Sequence, residues 1–187
     1  MGLAELQTAL ARLYTDEAWR AEFFRDPARA GATAGLTPAE TQQLAALPAR
    51  DVDFFARTLH DKRLNEIRKL LPHTRRAFGT QFDAAFRAFA PTFRPDGTKK
   101  HRDDALAFAA YLHKHSADAP AWAADALRYE AARLAALQPG RRFIVRRLRH
   151  ALKPMLAGAS ESPSACQNIA VWLRLTRAGP LRHWLWR

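Results

Sequence analysis

The sequence predicts an α+β, mainly α protein, with an N-terminal and central helical bundle followed by a small antiparallel β-sheet at the C-terminus. Three observations predict it. Helix-start signals and apolar residues at helical spacing recur up to about Leu137. The pattern changes at Pro139-Gly140, and residues 168–187, NIAVWLRLTRAGPLRHWLWR, alternate with the two-residue period of strands. The boundaries are 1–50 for a small N-terminal helical unit, 51–138 for a central helical domain and 139–187 for a basic β subdomain.

In the first unit Leu3, Leu6, Leu10 and Leu13 share one helical face, and Thr15 is placed to cap a second helix bearing Trp19, Phe23 and Phe24. Asp26-Pro27 starts a third helix, because proline at the first helical position gives up no needed hydrogen bond. Thr37 to Glu40, T-P-A-E, is a capping box for a fourth helix that runs to about Leu47. A longer helix is expected over about Val52 to Leu71, where Phe54, Phe55, Leu59, Leu64, Ile67 and Leu70 keep helical spacing. Pro72 restarts the chain and Gly79 ends the next turns; Phe82, Phe86 and Phe89 then form a stripe that reads as core. PTFRPDGTKK is a loop, Asp103 and Asp104 suit the start of a helix to about His115, and a last helix runs to Leu137.

Beyond Gly140, RRFIVRRLRH reads as a basic strand. In the tail, Ile169, Val171, Leu173 and Leu175 alternate with Trp172 and Arg174, and Leu181, His183 and Leu185 alternate with Trp184 and Trp186. The expectation is a hairpin turning at Arg177 to Pro180, its aliphatic side covering the helices and its tryptophans and arginines facing outward. Gly158 to Ala165 reads as a flexible loop. The sharp change at residue 139 predicts that a chain ending near Gln138 keeps nearly all its helical signal.

Composition narrows the function. A hydrophobic fraction of 48% argues against a disordered chain. No apolar run reaches the roughly 18 residues of a membrane span, and the N-terminus carries acids where a signal peptide carries bases, so the expected location is cytoplasmic, off the membrane. The single cysteine, Cys166, excludes an internal disulfide framework. The seven histidines form no H-E-x-x-H or H-x-x-E-H pattern, and there is no glycine-rich phosphate loop or G-x-S-x-G elbow, so no catalytic, metal-binding or cofactor-binding residue is expected. The net charge of +12 is unevenly spread: −3 over residues 1–56, +7 over 57–100, −1 over 101–140 and +9 over 141–187. Such blocks favour anionic partners, either phosphates or acidic polypeptide.

The stretch RKLLPHTRRAFGTQFDAAFRAFA, Arg68 to Ala90, followed by DDALAFAAYL at Asp103 to Leu112 and WAADALRYEAARLAAL at Trp122 to Leu137, carries a family likeness. Its L-P-x-T-x-x-x-F-G turn at Leu71 to Gly79, D-A-A-F at Asp83 to Phe86 and L-R-Y-E at Leu127 to Glu130 resemble helical domains, named for DNA binding, that are encoded beside or fused to multinuclear non-heme iron oxidative enzymes of ribosomal peptide modification. LYTDEAWRAEFFRDP and the strand with WLRL are similar to the version of this domain found at the end of some such enzymes. The resemblance implies a non-catalytic partner subunit that binds the iron enzyme and its precursor (leader) peptide, with the iron ligands on the enzyme.

Two interfaces follow from these readings. A sheet edge rich in arginine and tryptophan suits an acidic, apolar leader peptide, and places Arg146, Arg147, Arg149, Trp172, Arg174, Trp184 and Trp186 in the docking surface. The alternative is a nucleic-acid-binding protein using Arg57, Lys62, Arg63, Lys69, Arg75 and Arg76, although no base-reading helix or aromatic RNA platform is evident.

Overall fold

A computed structural model of the chain describes residues 3–115, 119–138, 140–158, 162–176 and 179–187. The fold is mainly helical with a three-stranded antiparallel sheet at the C-terminus, as the sequence predicts. It divides into two compact units, residues 1–63 and 64–187.

The first unit contains α1 (Leu3–Thr15), α2 (Glu17–Arg25), α3 (Pro27–Thr33), α4 (Pro38–Ala45) and the beginning of α5 (Ala49–Leu70). Its core gathers Leu13, Trp19, Phe23, Leu36, Leu44 and Val52. The capping box at Thr37 and Glu40 and the Asp26-Pro27 start are both present. The cap of α2 is a correction: Asp16, not Thr15, accepts the Trp19 N–H at 3.0 Å, while the Thr15 hydroxyl donates back to the Ala11 carbonyl at 2.7 Å and so completes α1. Helices α3 and α4 pack so closely that a Cβ on Gly31 would lie 2.2 Å from Thr41 Oγ1, which requires glycine there.

The second unit continues from α5 through α6 (Pro72–Phe78), α7 (Thr80–Phe89), α8 (Lys100–His115) and α9 (Ala121–Ala136) to β1 (Phe143–His150), α10 (Leu152–Leu156), β2 (Ala165–Leu173) and β3 (Arg182–Trp186). Gly79 separates α6 from α7 at φ 54° and ψ −130°, a conformation open to glycine and strained for any other residue. The phenylalanine stripe is core: Phe82 and Phe86 meet Phe108 of α8 edge-on, with centroids 5.1 and 5.2 Å apart. Short α10, interrupted by Pro154, has no counterpart in the sequence reading; Leu152 and Met155 bury it against the core. The turn expected at Arg177 to Pro180 and the loop at Gly158 to Ala165 fall partly outside the described residues, at 177–178 and 159–161, as does residue 139.

The sheet does not stand apart from the helices. Ile144, Leu148, Ala170 and Trp172 share one continuous core with Leu127, Tyr129 and Leu134 of α9, so residues 139–187 and the helices of 64–138 bury each other. The change of period marks a change of secondary structure inside one core.

Candidate docking surface

Helix α9 holds the sheet through a buried acid and an aromatic ring, and holds α6 through a second buried acid. Asp125, 1% exposed, accepts the Arg149 N–H at 2.7 Å, lies 2.8 Å from His150 Nδ1, and accepts from Arg128 at 3.2 Å. These contacts pin the end of β1 where its register to β2 shifts between Leu148 and His150. One turn on, Tyr129 lies against Trp172 at 5.2 Å and His183 at 5.5 Å, and Trp172 stacks on His183 at 4.9 Å. Glu130 reaches the other way. Its carboxylate accepts the N–H groups of His73 and Thr74 at 3.1 and 2.8 Å, supplying the N-terminus of α6 with the cap that Leu71 cannot provide. Burial raises the Glu130 pKa, against the lowering effect of those donors.

This packing reverses the expected facing of β2. Trp172, read as an outward anchor, is 2% exposed and points at α9, while Ile169 is 43% exposed on the opposite side. The Trp172 indole lies against the Tyr129 ring of α9 and the His183 ring of β3, so the inner side of the sheet is closed by an aromatic cluster. In β3 the aliphatic side faces inward as expected, with Leu185, and Leu181 just before the strand, packed against the core.

The outward face is ordered by register into three cross-strand rows. Phe143, Leu173 and Arg182 form the first, Val145, Val171 and Trp184 the second, and Arg147, Ile169 and Trp186 the third. Phe143 is 61% exposed, Trp186 50% and Val145 37%, and the rings of Trp184 and Trp186 stack in parallel at 6.0 Å. The three strands contain no acidic residue. An apolar plane of this extent with arginine at two corners is the kind of surface that marks an interaction site.

The sequence-predicted residues therefore separate. Arg147, Trp184 and Trp186 lie on the outward face. Arg146 belongs by register to the inner side but is exposed at the sheet edge, where its guanidinium donates to the Val145 carbonyl at 2.8 Å. Arg149 has an exposed side chain and a backbone N–H held by Asp125. Arg174 follows β2, half-buried, and its Nε is buried without a hydrogen-bond partner among the described residues. Ile169, Val171 and Leu173 face outward although the aliphatic side of the hairpin reads as core from the sequence, and Phe143 and Val145 join them from a strand read only as basic. Of the alternative set, Arg57, Lys62 and Arg63 lie in the first unit and Lys69, Arg75 and Arg76 in the second. Lys69 is paired with Glu66 at 2.6 Å, whereas Arg75 and Arg76 are exposed on α6. On the inner side, a cleft of about 440 Å³ lies beside Asn168, Pro154 and Leu185, with Lys153 and Arg187 lining it. Among the described residues no group of three or more His, Cys, Asp or Glu side chains is gathered to hold a metal ion, and no helix is long and apolar enough to cross a membrane.

Fold and surface together define a mainly helical chain that presents one face of a C-terminal sheet. Residues 45–114 match the family described as SCO6045-like, C-terminal domain, a segment covering nearly all of α5 through α8 and ending before the sheet. A comparison with curated proteins found no match. Within the matched segment, the residues that carry the likeness noted from sequence do structural work. Leu71 and Phe78 are buried, Thr74 receives the Glu130 cap, and Asp83 of D-A-A-F is held by a two-point ion pair with Arg68. That pair keeps the Asp83 carboxyl below its usual range.

Proposed function

We propose that this chain is a non-catalytic partner subunit that binds a multinuclear non-heme iron oxidative enzyme and its precursor peptide during modification of a ribosomal peptide. The observation that carries the binding part is the acid-free outward face, apolar at its centre and arginine at two corners, which matches an acidic, apolar polypeptide segment in both hydrophobicity and charge. The enzyme and peptide come from the resemblance of the Leu71 to Gly79 turn and the L-R-Y-E segment to domains that accompany such enzymes.

Co-expression with a multinuclear non-heme iron oxidative enzyme and a precursor peptide, should the neighbouring genes encode them, tests the proposal directly. A stable complex and peptide modification that falls when the chain is omitted are the expected results. Unchanged modification without it, together with no complex on gel filtration, would refute it.

A second reading, nucleic-acid binding, draws support from exposed Arg75 and Arg76 within the +7 segment of residues 57–100. It predicts duplex affinity that falls steeply with salt and tolerates many sequences. Sequence-selective peptide binding that survives moderate salt argues for the first reading.

A further inference from the structure

The outward sheet face has a shape as well as a polarity, and the shape selects the form of its ligand. From the register, an apolar band runs diagonally from Phe143 on β1 through Val171 on β2 to Trp186 on β3. Arg147 and Arg182 stand at the two remaining corners, one on each side of that band and flanking its middle third. With strands about 4.8 Å apart and alternate residues about 6.8 Å apart, the diagonal is about 17 Å long, the span of about eleven helical residues. Three strands give a width of about 10 Å, close to the diameter of one helix.

The edges of the sheet are less suited to an added strand. On the open side of β1 the Val145 carbonyl is taken by the Arg146 guanidinium at 2.8 Å and the Arg149 N–H by buried Asp125 at 2.7 Å. The other edge, β3, is five residues long. Side-chain capping and short length both discourage edge pairing. A second copy of the same face would set arginines against arginines in a segment of net charge +9, so charge also argues against self-association.

Resting on the reading of this chain as a polypeptide-binding partner, we infer that the outward face seats a single amphipathic helix of the partner. Its apolar stripe lies along the Phe143–Val171–Trp186 diagonal, and an acidic side chain near the middle of each flank meets Arg147 on one side and Arg182 on the other. This supplies the helical layer that α9 provides on the inner face. Helix-in-groove recognition of this kind reads apolar residues at i, i+3, i+4 and i+7.

The test uses the full chain and two fluorescein-labelled synthetic peptides of about fourteen residues with identical leucine, alanine and glutamate composition. One places leucines at i, i+3, i+4 and i+7 with glutamates on both flanks; the other alternates leucine and glutamate as a strand does. The helical peptide is expected to bind at least about tenfold more tightly, and the Arg147→Glu, Arg182→Glu double variant to lose about tenfold or more of that affinity without a change in melting temperature. Ile169→Glu is expected to abolish the preference, and the arginine variant keeps the test decisive if Ile169→Glu does not fold. Equal or tighter binding of the alternating peptide would overturn the helix while leaving polypeptide binding intact. Binding of neither peptide would remove the polypeptide-binding reading and the helix with it. Two further results would also overturn the inference by assigning the face elsewhere: concentration-dependent dimers lost on Ile169→Glu, or binding to phosphatidylserine vesicles lost in the arginine variant.

Discussion

Trp172 and Trp184 belong to neighbouring strands of one sheet but to opposite faces, and their substitutions separate core from surface. Trp172 is buried against Tyr129 of α9 and His183 of β3, so Trp172→Ala leaves a cavity and is expected to cost about 3–5 kcal/mol of stability. Trp184 is half-buried on the outward face beside Trp186. Trp184→Ala is expected to change stability by under about 1 kcal/mol and to weaken partner binding by about 2 kcal/mol. Thermal unfolding and calorimetric titration of both variants check this. A stability loss of similar size at both positions would show that the outward ring is also structural.

At the scale of elements, α6 depends on an acid donated from another helix. Glu130 accepts two N–H groups at the start of α6, and its burial raises its pKa from the ordinary 4.5. A carboxyl whose folded pKa is raised contributes most when protonated. Its contribution is full below pH 4.5 and is lost as pH rises through the raised value. Asp83 has the opposite sign: its pKa is lowered by Arg68, so its contribution is present above 3.8 and is lost as pH falls through the lowered value. Glu130→Gln should therefore remove a decline in stability with rising pH above 4.5, and Asp83→Asn a decline with falling pH below 3.8. Urea unfolding across pH measures both, and slopes identical to the parent protein would contradict the assignment. The helix boundaries themselves were legible, since Pro72, Gly79 and the Thr37 to Glu40 box are local signals. The Glu130 cap was not, because its partners lie more than fifty residues away.

For the molecule as a whole, the sheet and the helices of the second unit fold as one core. A chain ending at Gln138 loses Ile144, Leu148, Leu152, Met155 and Trp172 from that core and uncovers the face of α9 that bears Asp125 and Tyr129. The expected result is loss of cooperative thermal unfolding and gain of hydrophobic dye binding, with part of the helical signal gone. Sharp melting with nearly full helical signal would restore the separable sheet that the change of period at Pro139-Gly140 suggested.

The sequence by itself determined where most of the helices before residue 139 start and stop, the change to strands after it, the phenylalanine core stripe and the +9 charge of the final segment. These are properties of neighbouring residues: spacing, caps and charge need no knowledge of what lies across the core. Tertiary structure decided which side of β2 faces the helices, and with it which side is left outward as the proposed docking surface. A period of two defines two faces without ranking them, and both sides of β2 carry apolar residues, Ile169, Val171 and Leu173 on one and Ala170 and Trp172 on the other. The ranking came from α9, whose Tyr129 packs against the buried Trp172 indole, leaving the aliphatic side of β2 facing outward.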